Sequence, residues 1–278
     1  MILFSMLLLG CPKSTETTTA IKANCPAADA PLPEAEAIFA RHKSVTQPNG
    51  PVEWSNLHQG GVIRIPQANI EGTLDIWVDR SKGYLSRLEM PGMGLTEQGW
   101  NTEVGWMIDP NTGARLLEGE ELNNIAFTFK EITTDDLSKL YMSSKVVERR
   151  PIDEYDAYVV RVQVKNLSSP TELYFDACTG LQVGSKKMIN IPMGRLTVHN
   201  LFKNYRDQSG MLMPFTVEQR AMGVLQVIEV GDVSWNPSEF PEIELPGALQ
   251  ESPDSKPDQE EPSETVDTQK TESDASGE

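Results

Sequence analysis

Histidine and cysteine are scarce in this chain of 278 residues, which has three of each. The histidines His42, His58 and His199 are far apart and lack the close spacing of ligands in zinc sites. Positive charge is also scarce, because 24 Lys and Arg stand against 41 Asp and Glu, and the formal net charge is −17. A chain this acidic is poorly suited to nucleic acid. We therefore predict no metal site, no cofactor and no nucleic-acid partner.

Sequence motifs for catalysis are missing as well. The chain has no nucleophile elbow and no paired-carboxylate motif. The glycines at residues 60–61 and 92–94 do not precede a helix in a βαβ unit, so they indicate turns rather than a phosphate-binding loop. No apolar run approaches the ~20 residues that span a bilayer. These absences predict a protein that is not an enzyme.

The start of the chain is apolar without interruption. Residues 1–10, MILFSMLLLG, are typical of the hydrophobic region of a secretion signal, and we predict a lipoprotein signal peptide there. Residues 8–11, LLGC, resemble a bacterial lipobox, which implies that Cys11 receives a diacylglycerol and becomes the new N-terminus. Residues 11–33 are then a flexible tether with lipidated Cys11. The alternative is an uncleaved apolar N-terminus with an incidental cysteine.

The end of the chain has a different composition. Residues 246–278 are rich in Pro, Ser, Asp and Glu and contain no aromatic residue. Such a segment buries too little apolar area to offset the entropy of ordering it. We predict a disordered acidic tail over 246–278 and a folded domain over 34–245.

Alternation of apolar and polar residues dominates the folded domain. It is clearest over residues 70–78, 125–129, 158–164, 171–175 and 213–220, with further strands at 194–204 and 224–230. Turn sequences containing Gly180 and Gly210 separate neighbouring strands. Because one face of each strand is apolar, we predict an antiparallel sheet of about 11 strands with one buried face.

Two helices are predicted beside the sheet. Residues 33–43 begin with a proline, have acids in the first turn and have bases in the last, as the helix dipole prefers. Thr134 can cap a second helix that ends before Val146, with Leu137, Leu140 and Tyr141 on one side.

Three passages resemble the bacterial lipoprotein-carrier superfamily, which includes the LolA and LolB carriers. They are residues 105–110 (GWMIDP) with 116–122 (LLEGEEL), residues 173–181 (LYFDACTGL), and residues 204–215 (NYRDQSGMLMPF). The resemblance implies a mainly β, α+β fold: a curled antiparallel half-barrel with two or three short helices on its concave side. It also implies an apolar cavity that accepts acyl chains.

The apolar faces of the predicted strands define a candidate cavity, since strand pairing keeps the side-chain period of two in register. We expect a common concave interior lined by Ile70, Leu74, Ile76, Phe127, Phe129, Val160, Val162, Phe175, Val198, Phe215 and Val217. Two short helices are too few to fill such a sheet, so an apolar space should remain. The two other cysteines, Cys25 and Cys178, either form a disulfide, which an exported compartment permits, or stay unpaired.

Two functions follow from these predictions. The first is a membrane-anchored bacterial lipoprotein whose half-barrel binds a hydrophobic ligand, either an acyl chain or the anchor of another lipoprotein, without catalysis. The alternative is a regulatory or scaffold lipoprotein of the cell envelope that binds a protein partner, with the cavity filled as core. The residue after Cys11 is Pro12 and not the Asp of an inner-membrane retention signal, which favours the periplasmic face of the outer membrane.

Overall fold

The structure is a computed structural model that describes residues 25–191 and 194–250. The predicted signal peptide, Cys11, most of the tether and residues 251–278 of the predicted tail lie outside the described residues. The chain divides into two compact units, one ending at Leu245 and the other beginning at Pro246. The second unit contributes one short helix, α3 (Gly247–Gln250), to the described part.

The described part of the first unit forms two helices and thirteen strands. The helices are α1 (Ala35–Thr46) and α2 (Gly119–Thr133). Six strands lie between them: β1 (Asn56–Ile65), β2 (Ile70–Asp79), β3 (Gly83–Met90), β4 (Gly94–Trp100), β5 (Gly105–Asp109) and β6 (Gly113–Leu117). Seven follow α2: β7 (Tyr141–Ile152), β8 (Tyr155–Val164), β9 (Thr171–Asp176), β10 (Gln182–Ile191), β11 (Gly194–Gln208), β12 (Met211–Ala221) and β13 (Val224–Trp235).

All thirteen strands belong to one antiparallel sheet in the order β6-β5-β4-β3-β2-β1-β13-β12-β11-β10-β9-β8-β7. Two meanders, one before α2 and one after it, are joined where β1 pairs with β13. The sheet curls without closing, because β6 and β7 remain its two edges. This confirms the predicted half-barrel fold class, with two more strands than the sequence indicated.

Both helices cover the same face of the sheet, which we call the inner face. Phe39 of α1 has its ring centroid 5.8 Å from that of Phe175 on β9, and Phe129 of α2 has its ring 5.0 Å from that of Trp100 on β4. The buried side chains form one cluster under α1 and a second under α2. Burial of large apolar side chains at about 25 cal/mol per Å² is the main stabilising contribution of these contacts.

Helix α2 corrects the prediction of a strand at residues 125–129. Ile125, Phe127 and Phe129 alternate, but the longer segment also has apolar side chains at Leu122 and Ile132, which gives the spacing of three and four residues of a helix. The helical period extends over four turns and the alternation over only five residues, so the helix forms. Phe127 and Phe129 therefore lie on a helix and not on the sheet.

The helix predicted to begin at Thr134 is also wrong. Only one 3-10 turn, Leu137–Leu140, forms there, and the Asp136 side chain accepts a hydrogen bond from the backbone N–H of Ser138 at its start. Strand β7 begins directly afterwards at Tyr141. Its β-branched Val146 pairs with Val160 of β8 and is buried in the cluster under α1. Pairing with β8 outweighs the local helix signal because it buries more apolar area.

Among the described residues, no helix is both long and apolar enough to cross a membrane.

Candidate functional site

The turn between β9 and β10 fastens the chain segment before α1 to the sheet. Asp176 holds this turn, since its Oδ2 accepts hydrogen bonds from the backbone N–H of Thr179 at 2.8 Å and from its hydroxyl at 2.6 Å. A disulfide joins Cys178 of the turn to Cys25. The segment that follows Cys25, which the sequence predicts as tether, is thereby attached to the folded domain.

Two side chains of α1 contact the same turn. The Arg41 guanidinium donates hydrogen bonds to the carbonyls of Ala177, at 2.8 Å, and of Cys178. The Nδ1 of His42 donates to the carbonyl of Gly180 at 3.2 Å. Burial lowers the pKa of His42 to about 4, so this imidazole is neutral at pH 7. Helix α1 is therefore held at the turn by a covalent bond and by hydrogen bonds.

A small apolar cavity of about 240 Å³ lies between the segment before α1, α1 itself and the sheet. Its walls come from the segment before α1, from α1 and from strands β8 and β9, and they include Pro26, Pro33, Ile38, Tyr158 and Phe175. Arg149 on β7 fixes the segment from the other side, donating to the carbonyls of Ala27 at 2.6 Å and of Pro26 at 3.2 Å.

A larger cavity of about 360 Å³, which we call the inner cavity, opens between the helices and the sheet. It is bounded by α1, by the end of α2, by the 3-10 turn and by strands β10 to β12. Its apolar walls are formed by Phe39, Ile132, Leu137, Phe202, Met211 and Met213. Polar side chains on the same wall include His42, Gln47 and Glu131. The charged side chains Lys43, Asp135 and Asp136 also line it, so the cavity combines an apolar wall with a polar one. Its volume is within the range of about 300–1,000 Å³ that is typical of small-molecule pockets.

Glu131 is the unusual polar group of the inner cavity. It makes no hydrogen bond and no ion pair among the described residues, and burial raises its pKa to about 6, against a smaller lowering by the Lys187 ammonium on β10. Tyr141 lies in the field of this carboxylate, and its hydroxyl has no hydrogen-bond partner in the described part of the chain. Burial and the Glu131 charge raise the pKa of Tyr141. These unsatisfied groups can interact with a polar group of a ligand.

Glu131 makes stability depend on pH in a defined direction. Its pKa is raised in the fold, so the folded chain retains a proton that the unfolded chain loses above pH 4.5, and stability falls as the pH rises from about 4.5 to about 6. We expect E131Q to remove this loss, a difference of about 2 kcal/mol between the two ends of the window. Urea unfolding at several pH values measures it, with E89Q, at an exposed carboxylate of β3, as the control. Parallel pH curves for wild type and E131Q would contradict the assignment.

The strand register brings most of the sequence-predicted cavity residues together. Followed from pair to pair across the sheet, it places nine of them on the inner face: Ile70, Leu74, Ile76, Val160, Val162, Phe175, Val198, Phe215 and Val217. Phe129 and Phe127 are on α2, which packs on that face. Of the nine, Ile76, Val160, Val162 and Phe175 pack in the two clusters under the helices. Only Phe175 of the whole set lines either cavity described above. As ligand contacts they remain a prediction.

The residues that line the inner cavity were missed at the sequence level. Gln47 directly follows α1, and Glu131 lies in the last turn of α2. Neither residue is part of a sequence motif for a binding site. Met211 and Met213 flank the predicted turn at Gly210, but their convergence with α1 depends on the pairing of β12 with β11. Among the described residues there is no group of three or more His, Cys, Asp or Glu that could hold a metal ion.

These features define a class: an open antiparallel half-barrel whose inner face is covered by helices and retains an apolar cavity. No family model matches the sequence, and no curated protein matches it. Among solved structures, the chain is similar to a LolA superfamily protein from Nitrosomonas europaea, with a TM-score of 0.50, 13% identity, and coverage of 76% of this chain and 96% of that one. The chain thus has a LolA-like fold.

Two further structures give similar coverage. A DUF1329 family protein from Desulfovibrio piger matches with a TM-score of 0.48 and 12% identity over 73% of this chain and 94% of that chain. A putative outer membrane lipoprotein-sorting protein domain from Vibrio parahaemolyticus matches with a TM-score of 0.47 and 10% identity over 73% of this chain and 93% of that chain. At these identities the likeness concerns the fold alone.

Proposed function

We propose that this protein is a lipoprotein of the bacterial cell envelope that binds a hydrophobic ligand in the inner cavity, without catalysis. The ligand is an acyl chain or the lipid anchor of another lipoprotein. The observation that supports this proposal is the cavity of about 360 Å³ between helices and sheet, one wall of which is apolar. The LolA superfamily assignment of the Nitrosomonas europaea protein agrees with it.

The chemistry of the cavity walls favours a ligand with an apolar chain and a polar end. Phe39, Phe202 and Met213 offer apolar surface, and methionine adapts to ligands of different shape. Glu131 lacks a hydrogen-bonding partner among the described residues and can accept a hydrogen bond from the polar end of the ligand.

A fluorescent fatty acid such as cis-parinaric acid tests the site. We expect the purified, detergent-free chain to bind it, and M213E to weaken binding at least ten-fold, because the new carboxylate is placed on an apolar wall. The matched control is M93E, since Met93 lies in an exposed turn and is 45% exposed. F202W fills part of the cavity without adding charge and should also weaken binding. It tests the site independently if M213E does not fold. Absence of binding by the wild-type chain would refute the ligand proposal.

A protein partner is the second candidate function, and the filling of the inner face favours it. Part of that face, including Val160, Phe175 and Trp100, is packed under α1 and α2 as ordinary core. If the fatty acid does not bind, recognition by the outer surface becomes the better proposal, with the inner face acting as core.

Anchoring through Cys11 and residence at the periplasmic face of the outer membrane belong to the same proposal. In this view residues 1–10 are removed and Cys11 is acylated, as the resemblance of residues 8–11 to a lipobox implies. Several acyl chains on one cysteine make attachment firm. We expect C11S to move the protein from the membrane fraction to the soluble fraction of cells. Retention of C11S in the membrane fraction at high salt would contradict acylation as the anchor.

A further inference from the structure

The outer face of the sheet, opposite the helices, has a row of basic side chains. The register pairs Lys145 of β7 with Arg161 of β8, Arg161 with Glu172 of β9, and Glu172 with Lys186 of β10. The same row continues from Lys186 to His199 on β11 and from His199 to Arg220 on β12. Strands lie about 4.8 Å apart, so the row extends roughly 24 Å across six strands.

The positive charge of this row is only partly neutralised. Glu172 pairs with Arg161 at 3.3 Å, and Glu218 lies 3.7 Å from Arg220. Lys145 and Lys186 form no ion pair in the described part of the chain. Two further exposed bases extend the positive surface toward one end of the sheet, Lys165 after β8 and Arg195 at the start of β11. In a chain with a net charge of −17, this concentration of bases is a distinct local feature.

Exposed methionines lie at the same end of the sheet. Met142 is the second residue of β7 and is 70% exposed, and Met222 in the turn between β12 and β13 is 71% exposed. Met188, on β10 and 40% exposed, pairs with Thr197 of β11. Because the strands are antiparallel, the start of β7, the end of β10 and the end of β12 meet at one rim of the sheet. That rim therefore combines flexible apolar side chains with surrounding bases.

We propose that this rim and the adjoining basic row dock the protein on a bilayer surface that contains anionic phospholipids. Bases close to such a surface are attracted by its negative potential, and apolar side chains between them enter the boundary between headgroups and acyl chains. The methionines favour a membrane because their flexible apolar side chains can enter the boundary between headgroups and acyl chains while the surrounding bases contact the anionic headgroups. The contact is separate from any anchor on Cys11.

Vesicle binding by the full chain with the C11S substitution, which removes acylation, tests the proposal. The probe is a vesicle of phosphatidylcholine with about 30% phosphatidylglycerol, compared with phosphatidylcholine alone. We expect binding only to the anionic vesicles, weakening with added salt because screening shortens the range of the attraction. The triple variant K145E/K186E/R220E should bind at least ten-fold more weakly, and M142D/M222D should also bind more weakly.

The matched control is K82E/R87E/K130E, which makes the same change in net charge at basic side chains of the β2–β3 turn, of β3 and of α2, away from both the row and the rim. Its binding should stay within two-fold of the parent. Equal losses in both triple variants, or no binding of the parent to anionic vesicles, would overturn the proposal. Binding of an acidic polypeptide, but not of anionic vesicles, through the same bases would overturn it in favour of a protein partner. Fatty-acid binding by the same variants should be unchanged, which separates this surface from the inner cavity.

Discussion

Replacing Cys25 and Cys178 together by serine is expected to lower the free energy of unfolding of the oxidised protein by about 5 kcal/mol. The two cysteines are 153 residues apart, and a cross-link over so long a loop removes much of the entropy of the unfolded chain. Urea unfolding of the oxidised wild type and of the double variant measures the difference. It also reports on the pairing of these cysteines, for which the sequence alone left two alternatives.

Reduction supplies the control for this experiment. The reduced wild-type chain should unfold at the urea concentration of the double variant, because both lack the cross-link and retain the hydrogen bonds of Arg41 and His42 to the turn. Equal unfolding midpoints for oxidised wild type and double variant would show that the bond does not form in solution. Intact mass before and after reduction gives an independent reading.

Truncation of Phe175 is expected to have the second large effect, a loss of about 3–5 kcal/mol for F175A. The side chain is 1% exposed, and its ring lies 5.8 Å from that of Phe39 and 5.3 Å from that of His42. Its removal would enlarge the cavity of about 240 Å³ behind α1. Helix α1 can move only partly into the space that the phenyl ring leaves. The loss of unfolding free energy should therefore include a contribution from the remaining cavity in addition to the lost apolar burial.

F127A is the matched control, because Phe127 lies on α2, is only half-buried and contacts Tyr141 at a ring distance of 6.1 Å. We expect it to cost clearly less than F175A in the same urea experiment. Equal losses of unfolding free energy in the two variants would show that Phe175, between β9 and α1, is no more tightly packed than Phe127 on α2.

Five of the seven strands of the second meander, β8, β9 and β11 to β13, could be predicted from the sequence, whereas β7 and β10 could not. Val160 and Val162 alternate with polar residues, as do Leu173 and Phe175, and Gly180 and Gly210 mark the turns between strands. These signals are local, since alternation reflects a face buried over one strand and a glycine suits the positive φ of a turn. For the same reason nine of the eleven residues predicted for the inner face lie on it, although its occupant could not be predicted.

Residues 119–133 were misjudged because two periods overlap in them. The alternation of Ile125, Phe127 and Phe129 predicts a strand, whereas the apolar spacing from Leu122 to Ile132 is that of a helix. An amphipathic helix and a half-buried strand have comparable local free energies in so short a segment. The decision comes from Trp100 and Leu117 on the sheet, which offer an apolar surface that a helix can cover.

The sequence by itself determined the antiparallel sheet, most of its inner face and its turns, because these depend on side-chain period and on residues that favour turns. The half-barrel class was implied by the resemblance to the lipoprotein carriers. Only the tertiary structure decided that α2 exists, that β1 pairs with β13, and that Phe39, Glu131 and Met213 meet around one cavity. The physical reason is that a cavity and a basic row are assembled from residues distant in sequence, through pairings whose energy lies in contacts made after the chain has folded.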